Sequence, residues 1–289
     1  MTLTPAQQKL VSRAKRYPFG RPFVSYVFVG GACWALCNYN GGDGLRNASV
    51  VVDGTVRPID EALVRHGYDP AALSVPRLPV LASGSNASPT RLKEKFNLYS
   101  DQTLIPVIKY QISDLVPVFS AKFASYGSIT ATLQYAPEAQ SKMFVTYLTE
   151  PQLTRMHETE AIGDEYHFAR MDKITMCHEG GDPSTESIYA YLSIKGVFQV
   201  DNLQFTLSGS ETSAPEARFA ARSQEQMLQL AWKLLENNKN LDVFIYENIF
   251  DESIRRRRND LLQAYSTSFD NRSAEIIETP VNTLFNTNS

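Results

Sequence analysis

The chain has 289 residues, 43% of them hydrophobic and 20% charged, with a formal net charge of −3 at pH 7. That length supports one large domain or two small ones with ample core. The slight acidic excess excludes a generally basic, nucleic-acid-coating surface, and no apolar run approaches the roughly eighteen residues that a membrane span requires. Cys33, Cys37 and Cys177 fit a reducing compartment better than a disulfide scaffold. None is followed by a nucleophile-triad pattern, so all three read as small buried hydrophobes.

The segment Met1 to Tyr17 is polar and mildly basic without an apolar signal core. It predicts a short amphipathic helix and a cytoplasmic protein. Pro22 to Val29, Ala32 to Leu36 and Ser49 to Val52 are β-type runs separated by Gly30-Gly31 and the polar stretch Asn38 to Asn47. They predict a meander with one long glycine-rich loop. Gly41-Gly42-Asp43-Gly44 in that loop has no helix after it and is not a phosphate loop. Asp60 to His66 reads as a short helix closed by Gly67, and Asp69 to Pro79 as a proline-rich connector.

Leu78-Pro79-Val80-Leu81 supplies a buried strand that runs into Ser83-Gly84-Ser85-Asn86-Ala87. Ser88 is a good N-cap and Pro89 suits the first helical position. Further strands are expected at Leu104 to Tyr110, Leu115 to Ser120, Ile129 to Leu133 and Lys142 to Leu148, with turns at Tyr126-Gly127-Ser128 and Ala136-Pro137-Glu138. Thr149 to Glu160 is expected to be a helix capped by Thr149. Strands at Ser187 to Leu192 and Leu203 to Leu207 follow. From Glu216 the period becomes helical, with stripes at Met227, Leu230, Ala231, Leu234, Leu235 and at Ile254, Leu261, Leu262, Tyr265. The tail after Ser273 is polar and expected to be loosely held. Strands first and helices later indicate α+β, not a βαβ sheet.

A Gly-Ser-Asn turn between a strand and a helix leaves backbone N–H groups beside the positive end of the helix dipole. It can cradle a carboxylate or a developing oxyanion, or it can be an ordinary capped loop. The turn is followed in order by Ile129-Thr130-Ala131-Thr132-Leu133, by Lys142 to Leu148, by Leu153-Thr154-Arg155-Met156-His157-Glu158-Thr159-Glu160 and by Tyr166. This series resembles the γ-glutamylcyclotransferase-like superfamily over roughly residues 78–192. The resemblance implies a small mixed β-barrel with packed helices as a core at 78–238, between an N-terminal β-rich extension at 1–77 and a C-terminal helical extension at 239–289. It also implies a chemistry: the α-amine of a γ-glutamyl amide attacks the γ-carbonyl, closes a five-membered lactam of the 5-oxoproline type and releases an amine. Orientation supplies much of the barrier reduction. The protein adds one carboxylate as base and then acid, together with N–H donors for the oxyanion.

On this resemblance Glu160 takes the position of the catalytic glutamate, partly desolvated at a barrel mouth so that its pKa rises. Ser83, Gly84, Ser85, Asn86 and Ala87 form the substrate cradle, and Tyr166 lines the pocket. No cofactor and no metal is implied, and the partner is a small amide substrate. The pattern is broken twice: Ser83 replaces the usual aromatic residue, and His157 replaces an aspartate. A smaller wall at Ser83 would suit an amide- or isopeptide-cleaving enzyme with a bulkier substrate, or a binding or assembly module that has lost the activity.

Other signals have plainer readings. His157-Glu158-Thr159-Glu160 lacks the second histidine of a zincin helix. Arg255-Arg256-Arg257-Arg258 cannot present one helix face and has Asp251, Glu252 and Asp260 beside it, so it reads as a solvated, salt-bridged helix.

Overall fold

The computed structural model describes residues 2–39, 44–96, 103–179, 181–270 and 274–285. In chain order, α1 (Pro5–Ala14) precedes β1 (Tyr26–Val29), β2 (Ala32–Cys37), β3 (Ser49–Val52) and β4 (Thr55–Pro58), then α2 (Ile59–Arg65). The middle of the chain holds β5 (Leu78–Ala82), α3 (Pro89–Phe96), β6 (Leu104–Phe123), β7 (Ile129–Leu148), α4 (Glu150–Glu160), β8 (Tyr166–His178) and β9 (Pro183–Ser193). Short strands follow, β10 (Val197–Val200), β11 (Leu203–Leu207), β12 (Thr212–Ser213) and β13 (Phe219–Arg222), and then α5 (Gln224–Leu235), α6 (Leu241–Phe250) and α7 (Glu252–Leu262). Last come β14 (Ser266–Thr267), β15 (Ala274–Ile276) and α8 (Val281–Phe285). No helix among the described residues is long and apolar enough to cross a membrane.

Strand β6 pairs with β7, β7 with β5, β5 in parallel with β9, β9 with β8, and β8 again with β6. The ring is thus a closed five-stranded barrel in an α+β fold. Side chains alternate across each strand, and the register sets Ile108, Val145, Leu81, Ala190 and Ala169 side by side. All five belong to one buried cluster that fills the barrel. The other face of β5 and its neighbours, with Val80, Ala82, Phe144 and Phe168, packs under Leu92 and Phe96 of α3 and Leu153 and Met156 of α4. This packing brings α3 and α4 together over the end of β5.

Two long strands replace four expected short ones. Ala136-Pro137-Glu138 does not turn the chain. It bulges opposite Asp114, with the register shifting between Ser113 and Leu115 and Asp114 Oδ1 accepting from the Glu138 amide at 2.7 Å. A proline is tolerated at such a bulge because no ladder bond is asked of it. Strand β8, not foreseen from the sequence, mixes apolar and charged residues because its sides face different neighbours.

The meander of residues 26–58 is joined to the barrel by β1, which hydrogen-bonds to β6. Part of its glycine-rich loop, residues 40–43, lies outside the described residues. Helix α1, closed by a capping box of Thr4 and Gln7, packs Val11 and Ala14 against Met227 and Phe244. The polar tail is held more firmly than its composition predicts. Ala274–Ile276 extends the sheet along β8, and Leu284 and Phe285 lie against the α3–α4 layer. The arginine run is not wholly solvated either, for Arg258 is fully buried. The cysteines are reduced and none is fully buried.

Candidate active site

Strand β5 delivers the chain into Ser83-Gly84 and a single 3-10 turn, Ser85–Ala87, before α3 starts at Pro89. Helix α4 ends with Glu160, where Ala161 takes a left-handed conformation and breaks the helix. The two elements meet at Lys95, on the buried side of α3 and only 3% exposed. Its Nζ donates to Asn86 Oδ1 at 2.9 Å and to Met156 Sδ at 3.2 Å, and forms an ion pair with Glu160 Oε1. Burial pulls the Lys95 ammonium below its ordinary value against the opposing pull of Glu160. Lys95 therefore ties the turn to the carboxylate. Desolvation alone, the expected environment of Glu160, is incomplete without this counter-charge. Glu160 Oε2 has no hydrogen-bond partner among the described residues.

Ser83, Gly84, Ser85, Asn86, Glu160 and Tyr166 all line one cavity of about 250 Å³, with Tyr17, Arg91, Tyr126 and Tyr191 among its other walls. Ala87 does not line it. Its methyl is buried in the apolar layer, and its carbonyl accepts from Tyr26 at 2.8 Å. Glu158, two residues from Glu160, is exposed and paired with Arg155 at 2.8 Å. Tyr166 contributes its ring, while its hydroxyl is spent on Thr130 Oγ1 at 2.9 Å. Lys122, ion-paired with Glu165, stacks its ammonium 4.7 Å from that ring. His157 Nδ1 meets the Tyr191 hydroxyl at 2.8 Å, and burial pushes the imidazole down to about 4, so the ring is neutral at pH 7.

The space expected to open at Ser83 is filled by Tyr17, contributed by the chain just after α1. Its hydroxyl oxygen accepts from the Ala131 amide at 2.9 Å. Burial outweighs this bond and pushes the phenol up to about 12, so it keeps its proton at neutral pH. Behind it, Arg21 donates to the Ser83 carbonyl at 2.7 Å. Neither Tyr17 nor Lys95 carried a signal in the sequence. One lies sixty-odd residues upstream of the turn it completes, and the other looks like any lysine on a helix with Lys93 and Glu94 beside it.

Gly84 is needed for this arrangement. A Cβ there would fall on the Tyr17 hydroxyl and stand 3.0 Å from Ala131 Cβ. Gly84→Ala should therefore expel the phenol and lower stability by about 1–3 kcal/mol, the cost of overpacking, read as a fall in the thermal midpoint. An unchanged midpoint would show that the turn has room to spare.

No family model matches the chain, and no curated protein does. Among solved structures it is similar to a gamma-glutamyl cyclotransferase, at 12% identity and a TM-score of 0.32, over 73% of this chain and 98% of that one. An uncharacterized protein from Homo sapiens gives 12% identity and a TM-score of 0.33, over 73% of this chain and 99% of that one. A protein from Arabidopsis thaliana gives 15% and 0.31, over 55% of this chain and 86% of that one. Nothing about substrate or mechanism follows from similarities of this size.

Proposed function

We propose that the cavity cleaves a γ-glutamyl or similar amide by intramolecular cyclisation, releasing an amine and a 5-oxoproline-type lactam. One observation supports this above others: the Glu160 carboxylate and the Ser83–Asn86 turn line the same cavity, held in register by Lys95. The substrate's α-ammonium gives a proton to Glu160 through Oε2, the oxygen not paired with Lys95. The amine nitrogen then attacks the γ-carbonyl carbon, forming the ring C–N bond and placing negative charge on the carbonyl oxygen. Collapse of that intermediate breaks the bond to the leaving nitrogen, which takes its proton from Glu160. The ring nitrogen still carries one proton more than the lactam needs; the regenerated carboxylate passes it to the departing amine, which leaves as an ammonium, and Glu160 ends as the carboxylate it began as. Lys95 holds the Glu160 carboxylate in position for both steps.

Tyr17 is the natural donor to the oxyanion. Its oxygen already accepts from the Ala131 amide, so the phenol proton is what it has left to give. That amide thus acts through the phenol. A cavity of about 250 Å³ favours a compact substrate over the bulkier amide that a serine at position 83 suggests on its own.

The test is incubation with a panel of γ-glutamyl amines and dipeptides, with 5-oxoproline as the readout. Free glutamate without lactam would replace this reading with hydrolysis, and ligand binding without turnover would replace it with a binding module. Tyr17→Phe should cost about 10²–10³ in kcat, as loss of one oxyanion donor does. It should also lower the thermal midpoint, because the buried Ala131 amide loses its acceptor at a cost of about 1–3 kcal/mol. Full activity in this variant would remove Tyr17 from the mechanism.

A further inference from the structure

A second cavity, of about 600 Å³, lies at another level of the barrel, where Pro79 lines it two positions before the Leu81 that lines the first. The layer of Leu81, Ile108 and Val145 fills the barrel between those levels. The lining of the second cavity is rich in hydrogen-bond acceptors. Tyr39 bonds to Tyr110, and the Tyr110 and Tyr147 hydroxyl oxygens are 2.8 Å apart. His178, only 9% exposed, has no hydrogen-bond partner for Nδ1 among the described residues. Its ring stands edge-on to Tyr39 at 5.0 Å and to Tyr110 at 6.2 Å.

Asp182 and Glu186, both exposed, line the cavity without an ion-pair partner among the described residues. No lysine or arginine lines it among the described residues. The two lysines on the adjoining surface, Lys109 and Lys142, are both taken by Glu211, at 2.9 and 2.6 Å. Burial holds His178 below its ordinary value, so it adds no positive charge at neutral pH. The result is an aromatic chamber with two carboxylates that have no ion-pair partner among the described residues.

We propose that this second cavity binds a small alkylammonium ligand. Its N–H donors would meet Glu186 and a phenol oxygen, while its carbon chain lies against the tyrosine and His178 rings. Aromatic walls and unpaired carboxylates both favour an organic cation over a neutral or anionic guest, and the volume is in the range of small-molecule sites. This proposal is independent of the reaction assigned to Glu160.

The test is an NMR titration of the isotope-labelled full chain with n-butylammonium chloride, using n-butanol as its neutral counterpart. Saturable shifts in the His178, Tyr39 and Tyr110 ring signals are expected, with n-butanol at least about tenfold weaker, equivalent to roughly 1.4 kcal/mol. Glu186→Gln should weaken the ammonium about tenfold, again roughly 1.4 kcal/mol, and leave the thermal midpoint unchanged because the residue is exposed. Equal binding of the alcohol, indifference to Glu186→Gln, or shifts confined to residues lining the Glu160 cavity would each overturn the proposal.

Discussion

Glu160→Gln should reduce kcat for γ-glutamyl amide cleavage by about 10²–10⁴-fold, the range supplied by a positioned general acid–base group. The carboxamide keeps the shape of the side chain and can still face Lys95, but it cannot take the α-ammonium proton. The same change carries a stability cost. Lys95 is buried beside Glu160, and removing the carboxylate charge leaves its ammonium with Asn86 Oδ1 and Met156 Sδ alone. Breaking a buried pair from one side costs about 3–5 kcal/mol. Lys95→Met combined with Glu160→Gln should recover much of that stability, since both charges are then gone, without recovering turnover. Thermal unfolding and steady-state rates on the three proteins separate the two roles. Glu158→Gln is the control, because Glu158 pairs with Arg155 at the surface. Wild-type turnover in Glu160→Gln, or an equal loss in Glu158→Gln, would transfer the proton chemistry to another group.

What could be read from the sequence was local. The α1, α2 and α4 helices, the first strands and the turn after β5 each announce themselves through caps, prolines, glycines or period. The adjacency of Glu160 to the Gly-Ser-Asn turn was legible only through the order of weak motifs, since seventy-odd residues and two long strands intervene. Lys95 and Tyr17 were invisible because their roles arise from tertiary packing: an ordinary helix lysine is turned inward, and a tyrosine outside the resembling region enters the cavity. Ser83 misled for the same reason, as the volume it vacates is occupied from the far end of the chain. The bulge at Asp114 and Glu138 looked like a turn because the two share residue preferences. Only pairing of the flanking segments distinguishes them.

Arg258 illustrates that limit, and its replacement has the second large expected effect. Four consecutive arginines on a helix must point in different directions. Arg256 meets Glu252 at the surface, while Arg258 is 0% exposed. Its Nη2 reaches Glu236 Oε2 at 2.7 Å and Glu247 Oε2 at 2.6 Å. Its Nη1 donates to the Phe244 carbonyl at 3.0 Å and to Asn248 Oδ1 at 2.9 Å, and the guanidinium lies 3.9 Å from the centre of the Phe244 ring. One side chain therefore joins the end of α5, α6 and α7. Arg258→Met should destabilise the protein by about 3–5 kcal/mol at pH 7, because it removes the buried cation that Glu236 and Glu247 share and leaves them to the more exposed Lys239 and Arg257.

The sign of the pH dependence follows from Glu236, which hydrogen bonds from Arg258 pull down to about 2 from an ordinary 4.5. The unfolded chain takes up the proton first, so this contribution is complete above about pH 5 and is lost as pH falls toward 2. Urea unfolding of wild type and Arg258→Met should therefore show a gap that narrows between pH 7 and pH 3. A gap of constant size would mean that packing, not the ion pairs, makes Arg258 indispensable.

The consequence reaches the cavity. Asn259, the next residue of α7, accepts from the Phe123 amide at 2.7 Å and donates to the Phe123 carbonyl at 3.1 Å. Those bonds anchor the end of β6, from which Ala124, Ser125 and Tyr126 enter the cavity wall. Loosening α7 should thus raise KM for the amide before it unfolds the barrel, with Glu160 and Lys95 left in place.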